Sequence, residues 1–297
     1  VIGESLAWLA KGVLHRQTYE SMIAPAIADL QHEAHDGTWA RLRAYGAVWR
    51  AIVGALADDV HGDTAAAMSA MVRWTSLAPA LATTAGVAGL LMLAFDVHRL
   101  EGPALALLPL LAASVMPLAL LPALAVAAHQ AARDRVTTRG FAFTGVVIAA
   151  FLLLFIDQGV TRTNQVFREI EGRARGIAIV LPGSHEMSLA ELRHFDPATS
   201  YWSGHEKEFA REAARRIGTA ASVIAYVLFG VALTRRRMRT FGAVLIAIVT
   251  AHVALDVLMS LASSQAPDLI RILHLTPAII LIAAALVVAR RAARTGR

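Results

Sequence analysis

The chain has 297 residues, of which 57% are hydrophobic and only 17% charged, with a mean hydropathy of +0.55. A soluble globular chain carries nearer a quarter of charged residues, so the composition points to a polytopic membrane protein and away from a pair of soluble domains. The absence of cysteine excludes disulfides, thiolate metal sites and cysteine nucleophiles. The net charge is +6 and the pI about 10.4. The basic residues cluster at the ends of apolar runs, as expected of cytoplasmic loops and headgroup contacts rather than of nucleic-acid binding.

Residues 1–70 form the first segment, which is expected to be a small helical unit on the cytoplasmic side. It shows no basic end followed by an apolar core, so no signal peptide is expected, and it begins at Val1. The stretch "IADLQHEAHDG" holds His32, Glu33, His35 and Asp36. These read as a solvated helix end, and no metal site is assigned. "TWARLRAYGAVWRAIVGAL" places Trp39, Leu42, Tyr45, Trp49, Val53 and Leu56 on one helical face, with Arg43 and Arg50 away from it. Such a face suits either a membrane surface or packing on a transmembrane bundle. Asp63 and Thr64 are expected to cap a following helix that leads into the first span.

A transmembrane helix needs about 20 apolar residues. Six runs qualify: 77–95, 103–128, 141–160, 217–233, 241–262 and 272–289. The expected fold class is therefore all-α, with six transmembrane helices. Helices one to three fall in 71–160, a short outer segment occupies 161–216, and helices four to six with a basic tail occupy 217–297. Prolines 109, 117 and 122 lie in the second run, which predicts a bent or tilted span. The loop after the second run carries Arg133, Arg135 and Arg139. "TRRRMRT" follows the fourth, and the tail carries Arg290, Arg291, Arg294 and Arg297. The alternate short loops offer only Arg99 and Arg271. By the positive-inside rule both termini are cytoplasmic. Localisation in a bacterial inner membrane is expected.

Ionisable groups within or beside the spans each need a physical reason. His252 and Asp256 are four apart in the fifth run, so they stack on one helix face and form either a proton relay or a self-satisfied polar pair. Asp157 lies late in the third run, near its outer end, and "VTRTNQVFREIEG" reads as that helix continuing outward. Arg215 and Arg216 open the fourth run on the outer side. They suit contact with an anionic lipid headgroup, or else snorkelling or pairing with Glu208 or Glu212. "LPGSHEMS", with Ser184 and His185, reads as a turn, and "GIAIVL" before it as a short strand. There is no Gly-rich phosphate loop with Lys, no HExxH and no G-x-S-x-G, so no enzymatic activity and no cofactor are expected.

Several stretches resemble the lipopolysaccharide export permeases, the LptF/LptG family, over about residues 75–295. "SVMPLALLPALAVAAHQAARDR" is similar to their second span and its exit, and "VTRTNQVFREI" to the rise of the third span out of the membrane, with Thr163 and Asn164 at the characteristic pair. "MSLAELRHFD" is similar to the close of their outer domain. "REAARRIGTAASVIAYVLFGVAL" resembles their fourth span, with Arg216 and Gly230 in register, and "LTPAIILIAAALVVARR" resembles their last, Pro277 included. The N-terminal segment also resembles the cytoplasmic prefix of some bacterial ABC-type permeases. The resemblance implies a half-transporter that pairs with a second permease-like subunit or its own copy. It implies a cytoplasmic ABC ATPase as partner, membrane lipid as cargo, and no role for nucleic acid. Arg133, Asp134 and Arg135 match the start of the family's ATPase-coupling region. Two departures stand out. The outer segment, about 55 residues, is too short for the family's β-jellyroll, and the loop "HQAARDRVTTRG" is shorter than its coupling region. A non-transporting accessory subunit and a proton-coupled carrier built on His252 and Asp256 are the alternative readings.

Overall fold

The computed structural model describes residues 4–33, 38–94, 108–134, 136–174, 183–194, 206–235 and 275–294, with single positions at 243, 247 and 250. The regular structure of these residues is helical throughout. Chain contacts divide it into two units, Val1–Ala66 and Ala67–Arg297.

In the first unit α1 spans Glu4–Val13, and α2 runs through Arg16–Thr18, a π turn at Tyr19–Ile23 and Ala24–Glu33. Pro25 sits just past the π turn, where a proline lacks the donor and crowds the carbonyl four residues back. The long helix α3, Thr38–Val72, begins in this unit. Ala10, Leu14, Ile23, Ile27, Leu30, Val48, Ile52 and Ala55 close its core. The side of α3 turned inward is thus Val48, Ile52 and Ala55. Leu42, Tyr45, Trp49 and Val53 of the aromatic stripe are exposed, and Leu56 lies at the core's edge. The expected helix start at Asp63 and Thr64 is not formed. Both lie within α3, which ends only at Val72, before a bend at Arg73. Their side chains are used otherwise. Thr64 Oγ1 donates to the Val60 carbonyl, and Asp63 pairs with His15 Nε2 at 3.0 Å. One turn earlier Asp59 accepts from the backbone N–H of His15 and from Thr18 Oγ1, so α3 carboxylates fasten the start of α2.

The second unit contains α4 (Trp74–Ala94), α5 (Leu108–Ala131) and α6, which runs as Thr138–Leu154, a π segment Phe155–Val160 and Thr161–Ala174. A short α7 (Leu189–Arg193), α8 (Glu206–Arg235) and α9 (Thr276–Arg294) follow. Helix α8 packs on α5, α6 and α9, while α4 packs on α5. This explains the sequence of α8 from 217 to 233, which is apolar around most of its circumference and packs against three neighbouring helices. Val223, Ala225, Tyr226, Val227 and Leu233 are all buried. The hydroxyls of Thr83 and Thr84 in α4 donate back to the carbonyls of Pro79 and Ala80, which satisfies them within an apolar helix. Pro117 and Pro122 lie inside α5, whose helix is continuous through both.

Among the described residues, three helices are long and apolar enough to cross a membrane: Trp74–Leu91, Thr138–Ile170 and Glu208–Thr234. By length and composition this is a helical, multi-pass membrane protein. Val115–Ala131 and Ala278–Val287 are shorter apolar helices at the expected second and sixth spans. The expected fifth span, 241–262, with His252 and Asp256, lies outside the described residues apart from single positions, as do Arg135 and "GIAIVL". Phe143, Val146, Phe151 and Leu154 on α6, and Ile279, Ile280, Leu286 and Val287 on α9, are exposed. Apolar faces of this extent suit lipid contact.

Helices α5 and α8 cross closely. A Cβ on Gly230 would lie 2.1 Å from the Ala125 carbonyl oxygen, whereas one on Gly145 would meet Ile224 Cα at 3.2 Å. Small residues let membrane helices approach this closely. Gly230→Ala is therefore expected to destabilise the bundle by about 3 kcal/mol, at the upper end of overpacking costs, because backbone must move. Gly145→Ala should cost clearly less. Thermal midpoints of the two variants in detergent decide it; equal midpoints would refute the backbone contact.

Candidate functional site

The described polar groups of the second unit concentrate where α6, α8 and the turn before α7 meet. The π segment Phe155–Val160 inserts one residue into α6, which re-aims the helix beyond it. Leu152 before it, Ile156 and Val160 within it and Thr161 after it are all buried. Thr161 Oγ1 donates to the Ile156 carbonyl at 3.2 Å, matching the wider turn. The result places Asp157 and Thr161 opposite Arg216 of α8.

Arg216 is 2% exposed. Its Nε donates to Glu212 Oε1 at 2.8 Å. Nη1 donates to Thr161 Oγ1 (3.0 Å), Asp157 Oδ1 (3.4 Å) and the Met187 carbonyl (2.6 Å). Nη2 donates to the carbonyls of Ser184 and His185 at 3.1 and 3.2 Å. A guanidinium has five N–H groups in a planar fork, and here that fork is directed entirely into the chain. It gathers three carbonyls of one tight turn and two helix carboxylates.

The turn is held from α6 as well. Asn164 Nδ2 donates to the His185 carbonyl and Gln165 Nε2 to the Glu186 carbonyl. Arg168 pairs with Glu186 at 3.0 Å, whose carboxylate also accepts from the N–H of Gly183. Ser184 Oγ donates to Glu208. Asp157 Oδ1 accepts from the backbone N–H of Leu189 at 2.5 Å, the first residue of α7. Ser188 caps α7 by accepting from the N–H of Glu191, while the Glu191 carboxylate accepts from the N–H of Ser188.

The expected site residues that lie among the described ones now have places; Arg135, His252 and Asp256 lie outside them. Arg216 pairs with Glu212, one of the two alternatives its position offered. Arg215 forms a two-point pair with Glu212, Nε and Nη2 each at 2.8 Å, and keeps 43% of its side chain exposed. Arg133 is exposed on the single 3₁₀ turn Ala132–Asp134 that follows α5, which also contains Asp134. The turn expected at Ser184 and His185 is present as Ser184–Glu186. Sequence reasoning did not single out Glu186 or Asn164 as turn-holders. Nor did it find His129, buried at the end of α5, whose Nδ1 lies 2.9 Å from Thr234 Oγ1 of α8 and whose Nε2 is buried with no hydrogen-bond partner among the described residues. Nothing in local spacing announces these, because their partners are about 20 to 105 residues away. Among the described residues no group of three or more potential ligands could hold a metal ion.

A second feature lies toward the other end of α8, roughly 22 Å along the helix from Arg216 at 1.5 Å per residue. Here α6, α8 and α9 surround a cavity of about 300 Å³. Ala142, Leu228, Val231, Ala232, Ile282, Ala285 and Leu286 give it apolar walls; Thr138 and Arg139 also line it, but the surface it presents is almost wholly apolar. The small side chains of Ala142, Ala232 and Ala285 leave the space. Thr137 caps α6 beside it by accepting from the N–H of Gly140.

Comparison with protein-family models, with curated proteins and with solved structures finds no match.

Two outcomes follow from the geometry. Removing one member of a buried pair strands the other, at about 3–5 kcal/mol. Arg216→Gln and Glu212→Gln should therefore each lower the thermal midpoint in detergent far more than Arg211→Gln, and Arg216→Lys should rescue only in part because it lacks the fork. A midpoint for Arg216→Gln equal to that of Arg211→Gln would contradict the role given to Arg216. The second outcome concerns pH. His185 Nδ1 lies 3.1 Å from Glu212 Oε2, and that hydrogen bond raises the imidazole pKa above its ordinary 6.5. A raised pKa means the folded chain holds the proton more tightly. The contribution is complete below the ordinary value and is lost as pH rises through the raised one. The midpoint difference between the native chain and His185→Gln should be largest at acid pH and shrink with rising pH.

Proposed function

We propose that this chain is a permease-like membrane subunit that binds an anionic lipid and moves or extracts it together with a partner ATPase. The observation that carries this reading is the almost wholly apolar cavity between α6, α8 and α9, with Thr138 and Arg139 among its lining residues. Ligand sites are mostly apolar hollows with a few placed polar groups. In a multi-pass membrane chain, an acyl chain along the alanine-lined wall with an acidic headgroup at Arg139 fits that chemistry. The resemblance to the lipopolysaccharide export permeases supports the same reading. It brings six spans, cytoplasmic termini in a bacterial inner membrane, an ATPase contact at Arg133, Asp134 and Arg135, and pairing with a second permease-like subunit or another copy. Arg215, which keeps exposed surface beside its bond to Glu212, is the headgroup contact proposed at the outer end. Arg216 acts there indirectly, by holding the turn.

A second reading, an accessory subunit that scaffolds a complex without transport, is favoured by one observation. The Arg216 network joins α6, α8 and the turn through saturated bonds, which suits a fixed cap better than a moving one. A carrier built on His252 and Asp256 is the remaining alternative.

The lipid that accompanies the chain through purification in mild detergent separates these readings. Mass spectrometry should find acidic lipid enriched over the bulk membrane, and Ala232→Trp, which fills the cavity, should reduce it several-fold without loss of fold. Charge reversal at Arg133 should release a co-purifying ATPase. No enrichment and no ATPase would overturn transport and favour the scaffold. Unaltered activity in His252→Ala and Asp256→Ala would remove the carrier.

A further inference from the structure

Helix α3 carries an apolar face that the core of its own unit does not use. Leu42, Tyr45, Trp49 and Val53 are 58%, 37%, 47% and 55% exposed. At 3.6 residues per turn these four fall within roughly a quarter of the helix circumference. The core-facing residues Val48, Ile52 and Ala55 occupy the neighbouring side. The two faces are distinct, so the exposed stripe is not spill-over from the core.

The charges are arranged to match. Arg43 and Arg50 are exposed and project along the border of the stripe that lies away from the core. From Thr38 to Ala57 the sequence contains no Asp or Glu; the first acids are Asp58 and Asp59. The face therefore joins aliphatic side chains, one Tyr and one Trp to a purely basic edge. Tyr and Trp are the residues that settle at the level of lipid headgroups, and a basic edge is drawn to acidic lipid. A second copy of the same face supplies no carboxylate to meet Arg43 and Arg50, so self-pairing leaves those charges unmatched. Because other helices of the chain are long and apolar enough to cross a membrane, a bilayer is available to this segment.

We propose that the α3 face made by Leu42, Tyr45, Trp49 and Val53 lies in the headgroup layer of an acidic bilayer, held there by apolar insertion and by Arg43 and Arg50. This is an interfacial helix of the kind that lies in the membrane plane, and it does not depend on the lipid-moving function proposed above.

The chain has no cysteine, so a single introduced one can be labelled in the full-length protein. A nitroxide would be placed at Val53→Cys, within the stripe, and separately at Ala47→Cys, exposed on another side. Both proteins would be reconstituted in bilayers of phosphatidylcholine alone and of phosphatidylcholine with phosphatidylglycerol. In the acidic bilayer the label at 53 should collide with oxygen in preference to a water-soluble nickel complex, while the label at 47 should favour nickel. Arg43→Glu with Arg50→Glu should reverse the preference at 53 several-fold, with the spectrum at 47 unchanged as the sign that the fold persists. High salt should act in the same direction, because the arginine attraction is screened. Equal nickel access at 53 and 47 in the acidic bilayer would overturn the proposal. So would an oxygen preference at 53 that ignores lipid charge, or dipolar broadening between labels at 53, which would assign the face to a second copy.

Discussion

A guanidinium with almost no exposure organises the end of the second unit where α6 and α8 meet the turn before α7. Arg216 leaves water at a cost of several kcal/mol, recovered only if its charge is paired and its donors are met. Glu212 and Asp157 supply charge, and Thr161 and three turn carbonyls supply acceptors. Each contributor is fixed by something else. Glu212 is one turn back on the same helix. Asp157 and Thr161 are aimed by the π segment of α6. The carbonyls point inward because Asn164, Gln165 and Arg168 hold the same turn from α6. The network reads as one cooperative unit in which the loss of a member leaves a buried group unmet.

This arrangement changes the meaning of Asp157. A carboxylate at the end of an apolar run is open to a proton-handling interpretation. Here its oxygens are engaged by the N–H of Leu189, Arg216 and Gln158, which is how a helix side chain fastens a neighbouring segment. Arg215 and Arg216, adjacent in sequence, also part company. Both bind Glu212, but one retains exposed surface and the other has nearly none. Adjacent residues on a helix point about 100° apart, so only one of them can face the crossing with α6.

The apolar cavity and the α3 stripe show a different constraint. In each, side-chain volume and exposure follow from what the neighbouring helices already fill. The alanines of α6, α8 and α9 leave a hollow between helices that elsewhere pack closely, as at Gly230 against Ala125. In the first unit the core is complete with Val48, Ile52 and Ala55, so the aromatic side of α3 stays outside.

Helical class, membrane character, the continuation of the helix past Asp157 to Ala174 and the turn at Ser184 were legible in the amino-acid sequence, because hydrophobic run length and turn chemistry are local properties. The same locality explains where sequence reading went astray. Asp63 and Thr64 have the composition of a helix start, yet α3 passes through them, and Asp63 pairs instead with His15, 48 residues away. The aromatic stripe was visible as a face, but which side of α3 meets the core depends on α1 and α2. The π segment has no sequence signature, and it lies where Asp157 meets Arg216, just before Thr161. The sequence by itself determined how many groups needed burial or partners. Tertiary structure decided which partners they took, since residues far apart in the chain compete for the same few buried acceptors and only packing settles the competition.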